Sequence, residues 1–126
     1  MYPSLLKGLS PEAINRIDVL EKSDLIYTLK ISTAEDQGTL WTSEGATIYF
    51  DPNDNFSFPH ELGGHGYQRD IFCGQACEMV EMYENDINQR LKWEEDAYNI
   101  SGDEMDFYDY DYYINNDFDV GPGCDE

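Results

Sequence analysis

The N-terminal half of the chain changes from a helical to a strand-like pattern of apolar positions. Ser10-Pro11-Glu12 has the serine, proline and acid that are typical of a helix start. The apolar positions that follow have helical spacing, with polar side chains between them on the outward face: Ala13, Ile14, Ile17, Val19 and Leu20 inward, and Arg16, Asp18 and Glu21 outward. Residues 25–31 and 46–50 are rich in β-branched and aromatic side chains and predict strands, with a shorter one at 40–42.

A polar loop at residues 51–55 ends the last strand and leads into a second helix. Ser57 suits the N-cap of this helix and Pro59 its first turn. The longest periodic segment follows at residues 76–99, and we expect one long helix there. Its apolar face is formed by Ala76, Val80, Tyr83, Ile87, Leu91 and Tyr98. The sequence therefore predicts a single α+β domain over residues 1–100.

An acidic side chain, Glu84, falls inside the apolar stripe of the predicted long helix, and Glu81 lies at the edge of the stripe. Burying a lone charge is costly, so Glu84 needs a partner if it is buried. A metal ion, a salt bridge to Arg90 or Arg69, and exposure at the edge of the face all remain open.

From Ser101 onward the sequence alternates acidic and aromatic residues and contains no lysine or arginine. We expect residues 101–126 to form a solvated, partly ordered tail whose aromatic side chains cover the edge of the core. Asp and Asn are dense enough for a calcium site, but their spacing lacks the pattern of an EF-hand loop.

Net charge limits the classes of partner. The 126 residues carry a formal charge of −20, so nucleic acid is not expected as a ligand unless the protein imitates it. No apolar run is long enough to span a bilayer, and residues 1–7 lack the hydrophobic region of a signal peptide. One function class is therefore a non-enzymatic acidic binding protein: a nucleic-acid mimic, an inhibitor, or an immunity-type partner of a basic surface.

The two histidines of the chain suggest a different function class. His60 and His65 are five residues apart, and Glu61 directly follows the first. This spacing is one residue longer than that of the His-Glu-x-x-His motif of zinc peptidases. On a regular α-helix, positions five apart diverge by roughly 140°. A π-bulge would restore the shared face, and Gly63 and Gly64 soften the helix enough to permit one. Alternatively, the helix ends at the glycines and His65 approaches from a loop, or no metal site exists.

Cysteines offer another metal site. Cys73 and Cys77 could join His60 and His65 in a closed, structural Cys2His2 zinc site, although their spacing is looser than Cys-x-x-Cys. The odd total of three cysteines argues against a fully paired disulfide framework.

Three stretches together resemble the zinc metallopeptidase domains at the C-termini of bacterial Rhs-type polymorphic toxins and related secreted effectors. They are Thr47-Ile48-Tyr49-Phe50-Asp51-Pro52, the stretch from His60 to Tyr67, and Glu84-Asn85-Asp86-Ile87-Asn88-Gln89-Arg90. The resemblance covers roughly residues 10–100 and implies a zincin-like α+β domain with a motif helix and a later helix that supplies an acidic ligand. The chain departs from the family's His-Glu-Leu-Gly-His by one extra glycine at 63–64, so inactivation by this insertion is an open alternative.

The resemblance also implies roles for individual residues. His60 and His65 would be ligands of Zn²⁺, with Glu84 as the third ligand or Glu81 in its place, and Glu61 would be the general base.

An oxyanion donor would complete such a site, and Tyr67 and Tyr83 are its candidates. The substrate would be a protein of a target cell, reached by secretion or delivery as part of a larger effector. A cognate immunity protein would be a second partner.

Overall fold

A computed structural model describes residues 8–116 of the chain as an α+β fold, which confirms the predicted class. Its elements, in chain order, are α1 (Pro11–Glu21), β1 (Ile26–Ile31), β2 (Gly38–Trp41), β3 (Gly45–Phe50), a π-helix (Pro59–Gly66), α2 (Tyr67–Ile71), α3 (Ala76–Asn85), α4 (Ile87–Ser101) and α5 (Phe107–Asn115). Within residues 8–116, none of the helices combines the length and the apolar composition needed to cross a lipid bilayer.

Three strands form a mixed sheet in the order β1-β3-β2. β1 runs parallel to β3, and β2 pairs antiparallel to it, with Thr39 opposite Ile48 and Trp41 opposite Ala46. The short strand predicted at residues 40–42 is therefore present as β2, although it begins at Gly38, two residues earlier than expected. Because β2 lies at an edge of the sheet, one side of this strand is left to face the helices that follow.

The core lies between the sheet, α1, α3 and the π-helix. The largest of its fully buried apolar side chains include Ile17, Trp41, Ile48, Leu62 and Met79. α1 begins as predicted, with the Ser10 hydroxyl accepting a hydrogen bond from the Ala13 N–H. The prediction that Arg16 lies on the outward face of α1 is wrong, because its side chain is only 15% exposed.

The predicted long helix at 76–99 is in fact two helices. Asp86 interrupts it with an extended backbone (φ −115°, ψ 97°), and its side chain caps α4 by accepting from the Gln89 N–H. The apolar stripe of α3 therefore does not continue into α4, and Ile87 is 44% exposed. α4 instead buries a different set of side chains: Arg90, Glu94, Ala97 and Ile100.

The predicted tail contributes a helix to the fold. None of the residues of α5 is fully buried, but α5 packs against α4 and is tied to it by Arg90. The buried Arg90 guanidinium donates to the carbonyls of Tyr113 (2.7 Å) and Asn116 (3.2 Å), and also to those of Tyr83 and Glu84 (both 2.7 Å). One cation thus satisfies the C-terminal carbonyls of both α3 and α5. The rest of the predicted tail, residues 117–126, lies outside the described residues.

Candidate metal centre

The π-helix brings the two histidines together. Their ring centroids are 4.9 Å apart, with the rings nearly perpendicular. A π-helix has i→i+5 hydrogen bonds, seen here between the Tyr67 N–H and the Leu62 carbonyl, so residues five apart share a face. Of the two arrangements predicted for the five-residue spacing, the structure has the π-helical one. It extends over eight residues rather than a single bulge.

Three side chains from two neighbouring elements, β2 and α1, hold carbonyls of the π-helix. The donors are Thr39 Oγ1 to the carbonyl of Glu61 (3.1 Å), Arg16 Nη1 to that of Gly63 (3.1 Å), and Trp41 Nε1 to that of His65 (2.9 Å). A buried carbonyl without a donor costs about 1–3 kcal/mol. These contacts therefore stabilise a helix type that is rare in isolation. The Ser57 hydroxyl, predicted as the N-cap, instead accepts from the Asp51 N–H.

Gly64 sets how closely α4 approaches the π-helix. A Cβ atom at Gly64 would lie 2.5 Å from the Cβ of Ala97 and 2.7 Å from its Cα, closer than real atoms allow. The two backbones are therefore in near contact at this point. Glu94 lies three residues before Ala97 on α4, so this contact brings its carboxylate to the histidines.

Glu94 completes a group of three candidate ligands. Its Oε1 lies 3.2 Å from His65 Nε2 and 3.5 Å from His60 Nε2, and the side chain is nearly fully buried. One ligand atom from each residue lies within 4.8 Å of the others. Two imidazole nitrogens and one carboxylate oxygen form a donor set that suits zinc in catalytic sites. The group could hold a metal ion.

The acidic residues chosen from the sequence lie elsewhere. Glu84 and Glu81 are both exposed on α3 and do not belong to the group. The physical reason is the break at Asp86, which separates the apolar stripe of α3 from α4, the helix that packs against the π-helix. A single periodicity drawn through residues 76–99 does not place Glu94 on the inward face, because the helix is broken at Asp86. An N-cap at Asp86 starts a new stripe, in which Glu94 and Ala97 share one face.

Electrostatics tie His65 to Glu94. Burial opposes protonation of His65, but the charge and hydrogen bond of Glu94 outweigh it and raise the pKa of the imidazole to about 9. Burial likewise favours the neutral form of Glu94, but the charge of His65 and hydrogen bonds from both histidines hold the pKa of the carboxyl far below its usual range. Without a metal the two form an imidazolium–carboxylate pair. A bound cation would take the place of the proton.

Further hydrogen bonds orient both members of this pair. The Tyr83 hydroxyl donates to Glu94 Oε2 at 2.5 Å. Burial and the charge of Glu94 raise the pKa of Tyr83 well above its ordinary value, so the hydroxyl remains a donor. His65 Nδ1 lies 3.0 Å from Oε1 of Gln68.

Glu61 faces the same space from the π-helix. Its Oε1 accepts a hydrogen bond from Thr39 Oγ1 at 2.9 Å, and its Oε2 lies 3.9 Å from His60 Nε2. The structure thus holds a second carboxylate beside the three candidate ligands. Its location suits a group that exchanges a proton with a water molecule at the centre.

Two cavities border the centre. One, of about 270 Å³, is lined by β2, the π-helix, Tyr83, Glu94 and, from α5, Tyr112 and Tyr113. The other, of about 240 Å³, is also lined by His60 and Glu61 and shares Tyr113 with the first. The first cavity is a cleft that all three candidate ligands line.

The remaining sequence candidates differ in their location. Tyr83 lines the larger cavity, whereas Tyr67 packs its ring under the guanidinium of Arg16, 4.5 Å from the ring centroid, and lines neither cavity. Cys73 is exposed and Cys77 half-buried, and both hydrogen-bond close neighbours in the chain. Neither cysteine belongs to the group that contains the histidines, so the structure does not form the Cys2His2 site.

No protein-family model, curated protein or solved structure matches this chain.

Proposed function

We propose that this chain is a zinc-dependent hydrolase of the metallopeptidase type. The observation that carries the proposal is the convergence of His60, His65 and Glu94 in a buried group, with Glu61 beside them at an open cleft. A closed structural zinc site has four protein ligands, whereas three protein ligands beside a cavity leave a position for water. The donor set and the cleft together favour chemistry over a purely structural role.

Each residue has a role in this proposal. His60, His65 and Glu94 would hold zinc, which supplies a Lewis acid and lowers the pKa of a bound water to near 7. Glu61 accepts the proton of the attacking water and passes it to the leaving amine. Tyr83 keeps the Glu94 carboxylate in place by its hydrogen bond.

Tyr113 is a better candidate than Tyr67 for the hydroxyl that hydrogen-bonds the substrate carbonyl. It lines both cavities, and its ring packs edge-on against that of Tyr98. Burial and the charge of Glu94 raise the pKa of Tyr113 far above its ordinary value, so the hydroxyl remains protonated and able to donate.

The proposal extends to the class of substrate and to the way in which the protein reaches it. The resemblance of the motif to toxin peptidases supports a protein of a target cell as substrate, delivery as part of a larger effector, and a cognate immunity protein. The extra glycine of the motif is accommodated in the π-helix, where Gly64 contacts Ala97. This arrangement supports an active rather than an inactivated site.

A second candidate is a non-enzymatic acidic binding protein. The charge of −20 and the exposed rings of Phe107 and Tyr108 (75% and 79%) favour it. Binding of this kind should weaken steeply with salt and persist after His60→Ala, because it depends on surface charge rather than on the centre.

Metal content and peptide cleavage test the two candidates. We expect about one zinc per chain in the parent by mass spectrometry and a loss of zinc in His60→Ala and Glu94→Gln. Glu84→Gln is the matched control, since its side chain is exposed, and it should retain zinc. Glu61→Gln should retain zinc but no longer cleave a mixed peptide pool. A parent chain that binds no zinc contradicts the proposal.

A further inference from the structure

Gln68 is a buried polar residue beside the centre. It lies in α2, one helical turn after His65, and is 4% exposed. Its Oε1 is 3.0 Å from Nδ1 of His65, whereas Nε2 of the same ring faces Glu94. The two ring nitrogens thus have different partners.

The orientation of the Gln68 amide is determined by its other end. Its Nε2 donates to the carbonyl of Trp93 at 2.8 Å and to Oδ2 of Asp96 at 3.1 Å. The reversed amide would place Oε1 against these two acceptors and leave buried groups unsatisfied, at a cost of about 1–3 kcal/mol each. The acceptor end of Gln68 therefore has to face His65, and Nδ1 has to be the donor.

Asp96 is itself held by an arginine from α1. Arg16 forms a bidentate pair with it, with both N–O distances at 2.9 Å, and the same guanidinium donates to the Gly63 carbonyl of the π-helix. Bidentate arginine–carboxylate pairs fix geometry as well as charge. A continuous series of hydrogen bonds thus leads from α1 through Asp96 and Gln68 to His65.

We propose that Gln68 is a positioning residue that keeps Nδ1 of His65 protonated and leaves Nε2 as the nitrogen that binds the metal. The inference rests on the proposed function, because it concerns the same centre. Hydrogen bonds from the second nitrogen of a ligand histidine fix its tautomer and ring orientation, and their loss typically weakens metal binding about 10–100-fold. Arg16 and Asp96 act through Gln68, not on the metal.

Gln68→Met tests the proposal, because methionine has similar length and volume but cannot accept the hydrogen bond strongly. We expect zinc affinity about 10–100-fold weaker than in the parent. In ¹⁵N NMR, the Nδ1–H resonance of His65 should be protected from exchange in the parent, with and without zinc, and lost in the variant. Gln89→Met is the matched control, since the Gln89 contact in the fold is made by its backbone N–H, and it should behave as the parent.

A rescue variant separates positioning from simple packing. In Gln68→Glu combined with Asp96→Asn, one carboxylate oxygen accepts from His65 and the other accepts from the new amide, so the polarity of the 68–96 hydrogen bond is reversed. The Trp93 carbonyl loses its donor in this variant, so the rescue should be partial. We expect this pair to restore the Nδ1–H resonance and to recover part of the zinc affinity lost in Gln68→Met.

The outcomes distinguish this inference from the proposed function. Parent-like zinc affinity in Gln68→Met, or zinc bound through Nδ1, overturns the role of Gln68 and leaves the hydrolase proposal intact. Absence of zinc from the parent contradicts the hydrolase proposal. Exchange in the metal-free protein then tests Gln68 by itself. The imidazolium carries a proton on both nitrogens, and an Nδ1–H that exchanges as fast in the parent as in Gln68→Met overturns the contact with Gln68.

Discussion

The π-helix and α5 both face the cleft, but they are held in the fold in opposite ways. The π-helix is buried over most of its length, and three of its carbonyls are bound by side chains from other elements. α5 has no fully buried residue and depends on Arg90 and on contacts of Tyr113. The two candidate histidine ligands are therefore on a constrained element, and the tyrosines that line the cleft are on a weakly attached one. Precise ligand geometry needs rigid support, whereas the wall of a substrate cleft does not.

The largest effect is expected from Gly64→Ala, which would break the constrained side of this comparison. The added Cβ would lie 2.7 Å from the backbone Cα of Ala97, which cannot move alone, so α4 has to separate from the π-helix. We expect a loss of about 3 kcal/mol of unfolding free energy, measured by urea denaturation, together with loss of zinc binding.

Gly63→Ala is the control for that substitution. Its Cβ would meet Ile100 Cγ1 at 3.9 Å, an ordinary contact. We expect a change of less than about 1 kcal/mol, since alanine also restricts the unfolded chain. Equal effects at the two glycines would contradict the packing argument.

The pair of His65 and Glu94 predicts a dependence on pH. In the metal-free protein the pKa of His65 is raised from 6.5 to about 9. Its contribution to stability is therefore complete below pH 6.5 and is lost as the pH rises through 9. Zinc has to displace this proton, so its affinity should rise about tenfold per pH unit up to pH 9. Zinc titrations at pH 6.5 and 8.5 should differ about a hundredfold, and a flat profile would count against the pair.

A smaller effect is expected from Arg90→Met, which acts on the weakly attached side. The substitution removes the guanidinium hydrogen bonds to carbonyls of α3 and α5. We expect a loss of about 2 kcal/mol in stability and, by hydrogen exchange, earlier opening of α5 than of the π-helix. Lys92→Met, at an exposed position of α4, should leave both the stability and the order of opening unchanged. Simultaneous opening of both elements would erase the distinction between them.

Tyr113→Phe should have the smallest effect and would sharpen the comparison. The hydroxyl is removed but the ring stays, so zinc affinity should remain within about twofold of the parent while kcat/KM on a cleaved peptide falls roughly tenfold. Tyr110→Phe is the control, because its hydroxyl contacts only the exposed Glu95 among the described residues. Reduced zinc affinity in Tyr113→Phe would show that α5 supports the ligands after all.

Local sequence signals predicted several elements correctly. The start of α1 at Ser10-Pro11 and the strands β1 and β3 follow from capping and β-propensity, which act within a few residues. The π-helical arrangement of His60 and His65 was one of two alternatives that their spacing allowed. Their roles as zinc ligands, and that of Glu61 as base, stay predictions.

Residue type and spacing by themselves determined the α+β class and a His-Glu-x-x-x-His stretch that a π-helix would turn to one face. Only the tertiary structure decided which acid joins the histidines and how Arg16 is used. Glu94 lies 29 residues after His65, and its approach depends on the break at Asp86 and on the contact between Gly64 and Ala97. Periodicity describes one helix at a time, whereas the third candidate ligand is set by how two helices pack, and that depends on residues distant in the chain.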